Sequence, residues 1–305
     1  MGNRLLGAAC LLAFGIAHVL AQVSTSSITG LVTDSTGAVV PAASVEAMEE
    51  STGVTYQGTS NADGNYSFGS LPPGPYTITV TRAGFEKFVS IHNILTTGQS
   101  LVVNVALRIG ATNETVQVQS TYERVDTTNA TVSDVITAAQ AVNLPLNGRN
   151  PLALLTLEPG VVQRTNSNTG SGTHVFGSRD RAHNVTIDGI DANESTVPNP
   201  QSNLQRLQPD DVQEFRTVTL NATAEEGRNS GANVMVATKA GTNQFHGSLF
   251  YFNRNTDFNA NEWFNNASGI APPQLKLHQY GADIGGRSSR TRLFFTSACS
   301  RTLFC

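Results

Sequence analysis

The fold is decided by a stretch near the N-terminus that reads GNYSFGSLPPGPY at residues 64–76. Tyr66 and Phe68 alternate with polar residues, which is the period of a strand with one buried face. The Pro-Pro-Gly sequence that follows is typical of a turn, and Tyr76 begins a second alternating run. The stretch therefore predicts two short strands joined by a tight turn, with the aromatic side chains pointing into a core.

The same pattern extends in both directions along residues 26–107. Polar and apolar residues alternate in short runs, and Gly, Asp, Asn and Pro occupy the turns between them. About seven short strands at such regular spacing favour a small β-sandwich. The clearest runs lie at 27–33, 39–45, 54–60, 76–80 and 103–107.

Residues 111–240 carry a different, mixed α+β pattern that is low in aromatic residues. We expect Ser133 to cap a helix that runs to about Ala141. Pro151 stands at a favoured first-turn position, which predicts a second short helix over 151–157. Short apolar runs predict strands at 173–176, 185–187, 214–219 and 234–237.

From Gln244 onward the chain becomes rich in aromatic residues and again alternates. The first run is about ten residues long, which is the length of a strand that crosses a membrane. Further runs near 280–284 and 293–296 predict a second and a third strand. One face of the first strand carries Phe245, Gly247, Leu249 and Tyr251, and the other carries His246, Ser248, Phe250 and Phe252.

The chain begins with the pattern of an export signal. Arg4 precedes an apolar run from Leu5 to Leu20, and Ala21 offers a small residue for cleavage before Gln22. A membrane-spanning helix is the alternative, but the run is short and no charges follow it that would stop transfer. We therefore expect the mature chain to lie outside the cytoplasm.

Composition excludes several classes of protein. Charged residues make up 14% of the chain and the formal net charge is −4, so no basic surface for nucleic acid is expected. The three cysteines, Cys10, Cys299 and Cys305, leave residues 22–298 without a disulfide framework or a cysteine metal site. Sequence motifs of zinc peptidases, serine hydrolases and P-loop proteins are absent. We expect no enzyme activity, no metal and no cofactor.

The N-terminal strand pattern resembles a known family. Gly30-Leu31-Val32-Thr33-Asp34 with Gly37, together with the stretch at 64–76, is similar to carboxypeptidase regulatory-like domains. These are transthyretin-like sandwiches, grouped with carbohydrate-binding-like folds. The resemblance implies glycines at turns with positive φ and an aromatic pair on the inner face. It does not extend to the zinc site of a carboxypeptidase.

Five short motifs follow in order along the rest of the chain: Leu144–Asn150 (LPLNGRN), Asn184–Gly189 (NVTIDG), Val212–Phe215 (VQEF), Gly231–Val234 (GANV) and Lys239–Ser248 (KAGTNQFHGS). Through these motifs the chain resembles Oar-like TonB-dependent receptors over nearly its whole length. The resemblance implies a mainly β fold: a transthyretin-like β-sandwich, an α+β plug domain, and the first strands of an incomplete outer-membrane β-barrel. It also implies location in the outer membrane and uptake of a bulky nutrient, an oligosaccharide or a peptide.

The resemblance further implies contact with the inner-membrane protein TonB. An extended segment would hang into the periplasm and pair with TonB as an added strand. Gln117 and Gln119 stand where such segments carry apolar or Thr-like residues, so an ordinary linker strand is the alternative. The residues assigned to this TonB-box-like segment are Glu114, Thr115, Val116, Gln117 and Val118.

Two short motifs are assigned to the plug. The second of them has the Asp-Gly sequence of a hairpin turn. Arg149, Arg179 and Arg181 are expected to contact acidic groups on the barrel wall. Asp191 and Glu194 add carboxylates near the turn, so a calcium site is a weak alternative. The two motifs are the loop Asn147, Gly148, Arg149 and Asn150, and the turn Asp188 and Gly189.

These inferences divide the chain into six parts. The last part holds both late cysteines and departs from the barrel pattern, so we expect a truncated receptor, located in the outer membrane or, as truncated, in the periplasm. The alternatives are a carbohydrate-binding or adhesion module built on the sandwich, and a non-functional gene fragment. The parts are a signal peptide (1–21), the regulatory-like sandwich (22–110), a linker with the TonB-box-like segment (111–125), the plug (126–243), the start of the barrel (244–297) and an aberrant tail (298–305).

Overall fold

A computed structural model provides the structure, and strands dominate it, so the predicted mainly β fold is confirmed. No helix in the described part of the chain is long and apolar enough to cross a membrane. The structure describes residues 26–110, 115–119, 130–146, 149–164, 172–179, 182–193, 207–226, 229–288 and 294–304.

Two sheets form the N-terminal sandwich, as the short alternating runs predict. Their strands are β1 (Ser26–Asp34), β2 (Ser44–Glu49), β3 (Thr55–Thr59), β4 (Asn65–Leu71), β5 (Gly74–Thr81), β6 (Lys87–Leu95), β7 (Ser100–Val102), β8 (Val105–Leu107) and β9 (Thr115–Gln119). The first sheet has the order β4-β1-β7, with β8 also paired to β1. The second has the order β3-β2-β5-β6-β9. Apolar side chains from alternate positions of both sheets fill one core between them.

Aromatic side chains lie in this core, as predicted. The rings of Tyr66 and Phe68 meet edge to face, with their centroids 6.0 Å apart. The Tyr66 hydroxyl donates to the Val103 carbonyl at 2.6 Å, and the hydroxyl of the fully buried Tyr76 donates to the Pro72 carbonyl at 2.9 Å. Because their polar tips are hydrogen-bonded inside the protein, these rings pack the core and offer no face to a sugar in solvent.

The central region contains a third sheet and a second core. Its elements are β10 (Val132–Thr137), α1 (Ala138–Asn143), a 3₁₀ helix (Pro151–Leu157), β11 (Val161–Arg164), β12 (Gly172–Val175), β13 (Asn184–Ile187), β14 (Ile190–Asp191), a 3₁₀ helix (Pro209–Asp211), β15 (Val212–Leu220), a 3₁₀ helix (Ala224–Glu226) and β16 (Asn233–Thr238). The sheet order is β10-β15-β16-β13-β14, and β11 pairs with β12 separately. Phe215 on β15 is fully buried at the centre of this core.

The expected start of the first helix is wrong. Ser133 lies in strand β10, and the helix begins at Ala138 with Thr137 as its N-cap. The Thr137 side chain accepts a hydrogen bond from the Gln140 backbone, and the Gln140 side chain accepts one from the Thr137 backbone at 2.9 Å. This reciprocal capping box satisfies two backbone donors at once, which a single serine cannot do.

Long antiparallel strands form the C-terminal region. Its elements are β17 (His246–Asn255), a 3₁₀ helix (Thr256–Phe258), α2 (Trp263–Ala267), β18 (Lys276–Arg287) and β19 (Phe294–Phe304). The sheet order is β17-β18-β19. Pairing between β18 and β19 runs unbroken from Arg287 opposite Phe294 to Leu277 opposite Phe304. Strand β19 therefore continues through residues 298–304 of the predicted aberrant tail (298–305), and Cys305 lies outside the described residues.

Candidate functional site

The TonB-box-like segment is the edge strand of a sheet. Strand β9 pairs in parallel with the first half of β6, from Lys87 opposite Thr115 to Ile91 opposite Gln119. The expectation of a segment that hangs free is therefore wrong for residues 115–119, because the sandwich supplies hydrogen-bonding partners for their backbone. Glu114 lies outside the described residues. Within the described part of the chain β9 is the last strand of its sheet, so its second edge remains open.

The plug loop presents a buried ion pair. The guanidinium of Arg149 binds the carboxylate of Asp210, and these residues are 8% and 7% exposed. Asn150 caps the 3₁₀ helix that follows, since its side chain accepts a hydrogen bond from the Leu152 backbone at 3.1 Å. The loop thus fixes a charged side chain between the two 3₁₀ helices. Asn147 and Gly148, the other two residues of this motif, lie outside the described residues.

Arg149 also connects the plug to the first barrel strand. Its guanidinium carbon lies 4.0 Å from the ring centroid of Phe252 and 4.6 Å from that of Phe250. Both distances suit a cation–π contact. On the opposite face of β17, Leu249 is 86% exposed and Tyr251 is 61% exposed, so the aromatic pair of Phe250 and Phe252 faces the plug.

This arrangement corrects the expected role of the arginines. The acid that binds Arg149 belongs to the plug itself, and the barrel wall contributes aromatic rings in place of carboxylates. The physical reason is that a buried guanidinium needs one full counter-charge, after which its flat faces are best covered by rings. Arg179 is exposed, and Arg181 lies outside the described residues.

The turn Asp188–Gly189 joins β13 to β14 and fastens β16. Both residues have positive φ, 49° and 81°, as a two-residue hairpin turn of type I′ requires. The Asp188 carboxylate accepts hydrogen bonds from the Thr238 backbone at 2.9 Å and from the Thr238 hydroxyl at 2.7 Å. Asp188 therefore holds the end of β16, just before the chain passes to the barrel strands.

Acidic residues near this turn do not gather into a metal site in the described part of the chain. No group of three or more His, Cys, Asp or Glu side chains with metal-binding spacing occurs there. Asp191 instead accepts hydrogen bonds from the Asn193 backbone at 2.9 Å and the Asn193 side-chain amide at 2.7 Å. Glu194, the second acid of the calcium alternative, lies outside the described residues.

Glu158 is a buried carboxyl that the sequence reasoning missed. It ends the 3₁₀ helix Pro151–Leu157 and is 5% exposed, and its Oε1 has no hydrogen-bond partner among the described residues. Burial, with a smaller contribution from the Asp134 carboxylate, raises the pKa of Glu158 to about 7. No local pattern marks such a residue, because its burial depends on how the plug folds over it.

Stability of the plug should therefore fall as the pH rises. The pKa of Glu158 is higher in the folded chain than its ordinary value of 4.5, so the folded state binds more protons across this interval. The protonated Glu158 side chain therefore contributes fully to the stability of the plug below its ordinary pKa, and this contribution is lost as the pH passes through about 7. Its upper limit is about 3 kcal/mol of unfolding free energy. Glu158→Gln should flatten this dependence when urea unfolding is measured at several pH values. Glu262→Gln, at an exposed carboxyl, should leave the slope unchanged, and an unchanged slope in Glu158→Gln would contradict the assignment.

Comparisons with known proteins match both ends of this architecture. Residues 27–108 match the carboxypeptidase regulatory-like domain, and residues 237–302 match an outer membrane beta barrel domain. The chain is 27% identical over 269 residues to the TonB-dependent transporter Oar of Myxococcus xanthus, a match that covers 84% of this chain and 24% of Oar. The chain thus spans about a quarter of the length of this curated relative.

Solved structures of receptors show weaker likeness. The siderophore receptor PirA from Acinetobacter baumannii has 20% identity and a TM-score of 0.43, over 56% of this chain and 24% of that one. The ferric enterobactin receptor mutant R480A from Pseudomonas aeruginosa, solved with enterobactin, has 15% identity and a TM-score of 0.44, over 58% and 25% of the two chains. These scores are too low to support a conclusion about this chain.

The two domain matches, taken in their order along the chain, indicate the class of protein to which this chain is similar. The chain combines a regulatory-like sandwich with outer-membrane barrel strands, and this combination points to the outer membrane as its location. Over the part of that relative which it spans, the chain is similar in sequence to the TonB-dependent transporter Oar.

Proposed function

We propose that this chain takes part in TonB-dependent uptake across the outer membrane. The observation that carries the proposal is the similarity to Oar over 84% of the chain, with the regulatory-like match before the barrel match. The sheet between the two matches would act as the plug, and Arg149 would hold it against the barrel wall through Phe250 and Phe252. The chain would have no enzymatic role.

TonB is the proposed partner, and β9 is the proposed contact. An edge strand with one open side is the element to which a partner strand can add by main-chain hydrogen bonds. Residues 115–119 form such a strand in the described part of the chain. For the cargo we propose a bulky nutrient, an oligosaccharide or a peptide, because a plugged barrel suits solutes that an open porin does not admit.

Proline substitutions in β9 should weaken capture of the full chain by the periplasmic domain of TonB. Neighbouring residues of a strand direct their N–H groups to opposite edges, so Val116→Pro and Gln117→Pro together remove a donor from each edge. At least one of them should weaken capture about tenfold or more, which corresponds to the loss of about 1.4 kcal/mol. Val116→Ala keeps the N–H group and should bind like the unchanged chain. Undiminished capture by both proline variants would overturn the assignment of β9.

A further inference from the structure

The turn that follows β6 is attached to strand β15 of the plug. Thr97 in this turn is fully buried. Its hydroxyl donates to Oε1 of Glu214 at 2.6 Å, and its backbone N–H donates to the same oxygen. Glu214 lies on β15, so a carboxylate of the plug receives two hydrogen bonds from one residue of the sandwich.

Gly98 completes the attachment. The guanidinium of Arg216, which is 6% exposed, donates to the Gly98 carbonyl. Gly98 has a φ of +66°, and a Cβ at this position would lie 2.8 Å from both Sδ and Cε of Met235 on β16. The positive φ favours glycine at this position, and a larger residue would be strained there and would have to displace the end of the Met235 side chain. We call Thr97, Gly98, Glu214, Arg216 and Met235 the sandwich–plug clamp.

Strand β6 connects this clamp to the TonB-box-like strand. Its first half, from Lys87 to Ile91, pairs with β9. Its last residue, Leu95, is fixed in the sandwich core and directly precedes the turn that holds Thr97 and Gly98. Between the two attachments β6 passes through a bulge, where His92 has a φ of +59°. Strand β5 pairs with β6 on both sides of this bulge, so both attachments belong to one paired strand.

We propose that β6 couples β9 to the plug, so that release of β9 from the sandwich loosens the sandwich–plug clamp. The sandwich is then a linking element of the receptor and not an independent binding module. Coupling of this kind is reciprocal: whatever stabilises the pairing of β9 must stabilise the clamp by the same factor. The identity of the molecule that draws β9 away rests on the proposed function, but the coupling itself does not require TonB.

A disulfide across β6 and β9 tests the pairing on which the proposal depends. In a chain with Cys299→Ser and Cys305→Ser, the pair Val89→Cys and Gln117→Cys occupies opposite positions of the two strands, a spacing that a disulfide can bridge. Val89→Cys with Gln119→Cys is the matched control, since the offset of two residues separates the Cα atoms by about 8 Å. Trypsin should yield cross-linked peptides 88–108 and 109–124 from the first pair alone. Equal yields from both pairs, or none from the first, would overturn the pairing and with it the coupling.

Hydrogen exchange of β15 then measures the coupling in the full chain. Oxidising the Val89→Cys, Gln117→Cys pair should slow exchange of the β15 amides, by about fivefold or more if the coupling has the usual size. Gly98→Val should remove this difference because a β-branched residue is strained at the φ of +66° that this turn requires. Glu214→Ala, a second clamp variant that leaves the turn itself unchanged, should also remove it. Gln213→Ala, at an exposed position of the same strand, should preserve it.

Two results would refute the coupling. One is β15 exchange that is the same before and after oxidation, and the other is a slowing that persists in both clamp variants. Adding the periplasmic domain of TonB to the reduced chain separates this inference from the proposed function. If oxidation slows β15 but TonB neither binds nor changes its exchange, the coupling stands and the proposed partner is wrong. If TonB binds while oxidation leaves β15 unchanged, the partner stands and the coupling is wrong.

Discussion

Arg149→Ala should destabilise the plug by about 3–5 kcal/mol, because it leaves the Asp210 carboxylate buried without its counter-charge. Arg149 and Asp210 are each less than a tenth exposed, so the Asp210 carboxylate depends on its partner for a counter-charge. The substitution also uncovers the rings of Phe250 and Phe252, which should loosen the plug from the barrel strands. Pulse proteolysis of the full chain in increasing urea, with intact plug peptides quantified, measures the effect.

Removing both charges supplies the decisive comparison. The double variant Arg149→Ala, Asp210→Ala should lose much less stability than the sum of the two single variants, since no unpaired charge remains. Arg179→Ala changes an exposed arginine of the same region, and its effect should stay within about 0.5 kcal/mol. If Arg149→Ala proves as mild as Arg179→Ala, the buried ion pair does not support the plug.

Tyr76→Ala should weaken the sandwich by about 3–5 kcal/mol, the cost of removing a large aromatic side chain from a packed core. Tyr76 is fully buried, and the cavity left by its ring cannot be filled by solvent. Exchange of the β5 amides in the full chain reports the local opening free energy and should accelerate strongly. Tyr76→Phe keeps the ring and loses only the hydrogen bond to the Pro72 carbonyl, so it should cost about 1 kcal/mol.

The same two variants bear on the adhesion alternative. If Tyr76 served to stack on carbohydrate, Tyr76→Ala would abolish sugar binding while the sandwich stayed stable. Its burial leads us to expect the opposite, namely a loss of stability without any ligand present. A stable Tyr76→Ala sandwich would contradict the core position of this ring.

Strands were predicted well where the evidence for them is local. The two-residue alternation of a strand can be read within a short window, and the strand predicted at 214–219 is β15, which spans Val212–Leu220. The first helix begins later than a cap at Ser133 predicts. The deciding signal was equally local: Thr137 and Gln140 have the spacing of a capping box.

Interactions between distant parts of the chain could not be predicted in this way. Arg149 and Asp210 are separated by 61 positions, and Thr97 and Glu214 by 117. Which acid meets which donor depends on how the sheets are arranged, and no short window contains that information. The pairing of β9 with β6 has the same origin, since an extended segment can hang free or add to any open edge.

The position of β1 sets the order in which the sandwich can form. This first strand is not at an edge: it pairs with β4 on one side and in parallel with β7 and β8 on the other, with Ser27 opposite Ser100 and Val32 opposite Val105. The first sheet therefore stays incomplete until residue 107 can pair. Closing loops of this length before any contact forms is slow. We therefore expect the first sheet to be completed after β2 has paired with β3 and β5 in the second sheet, because those partners are closer in sequence.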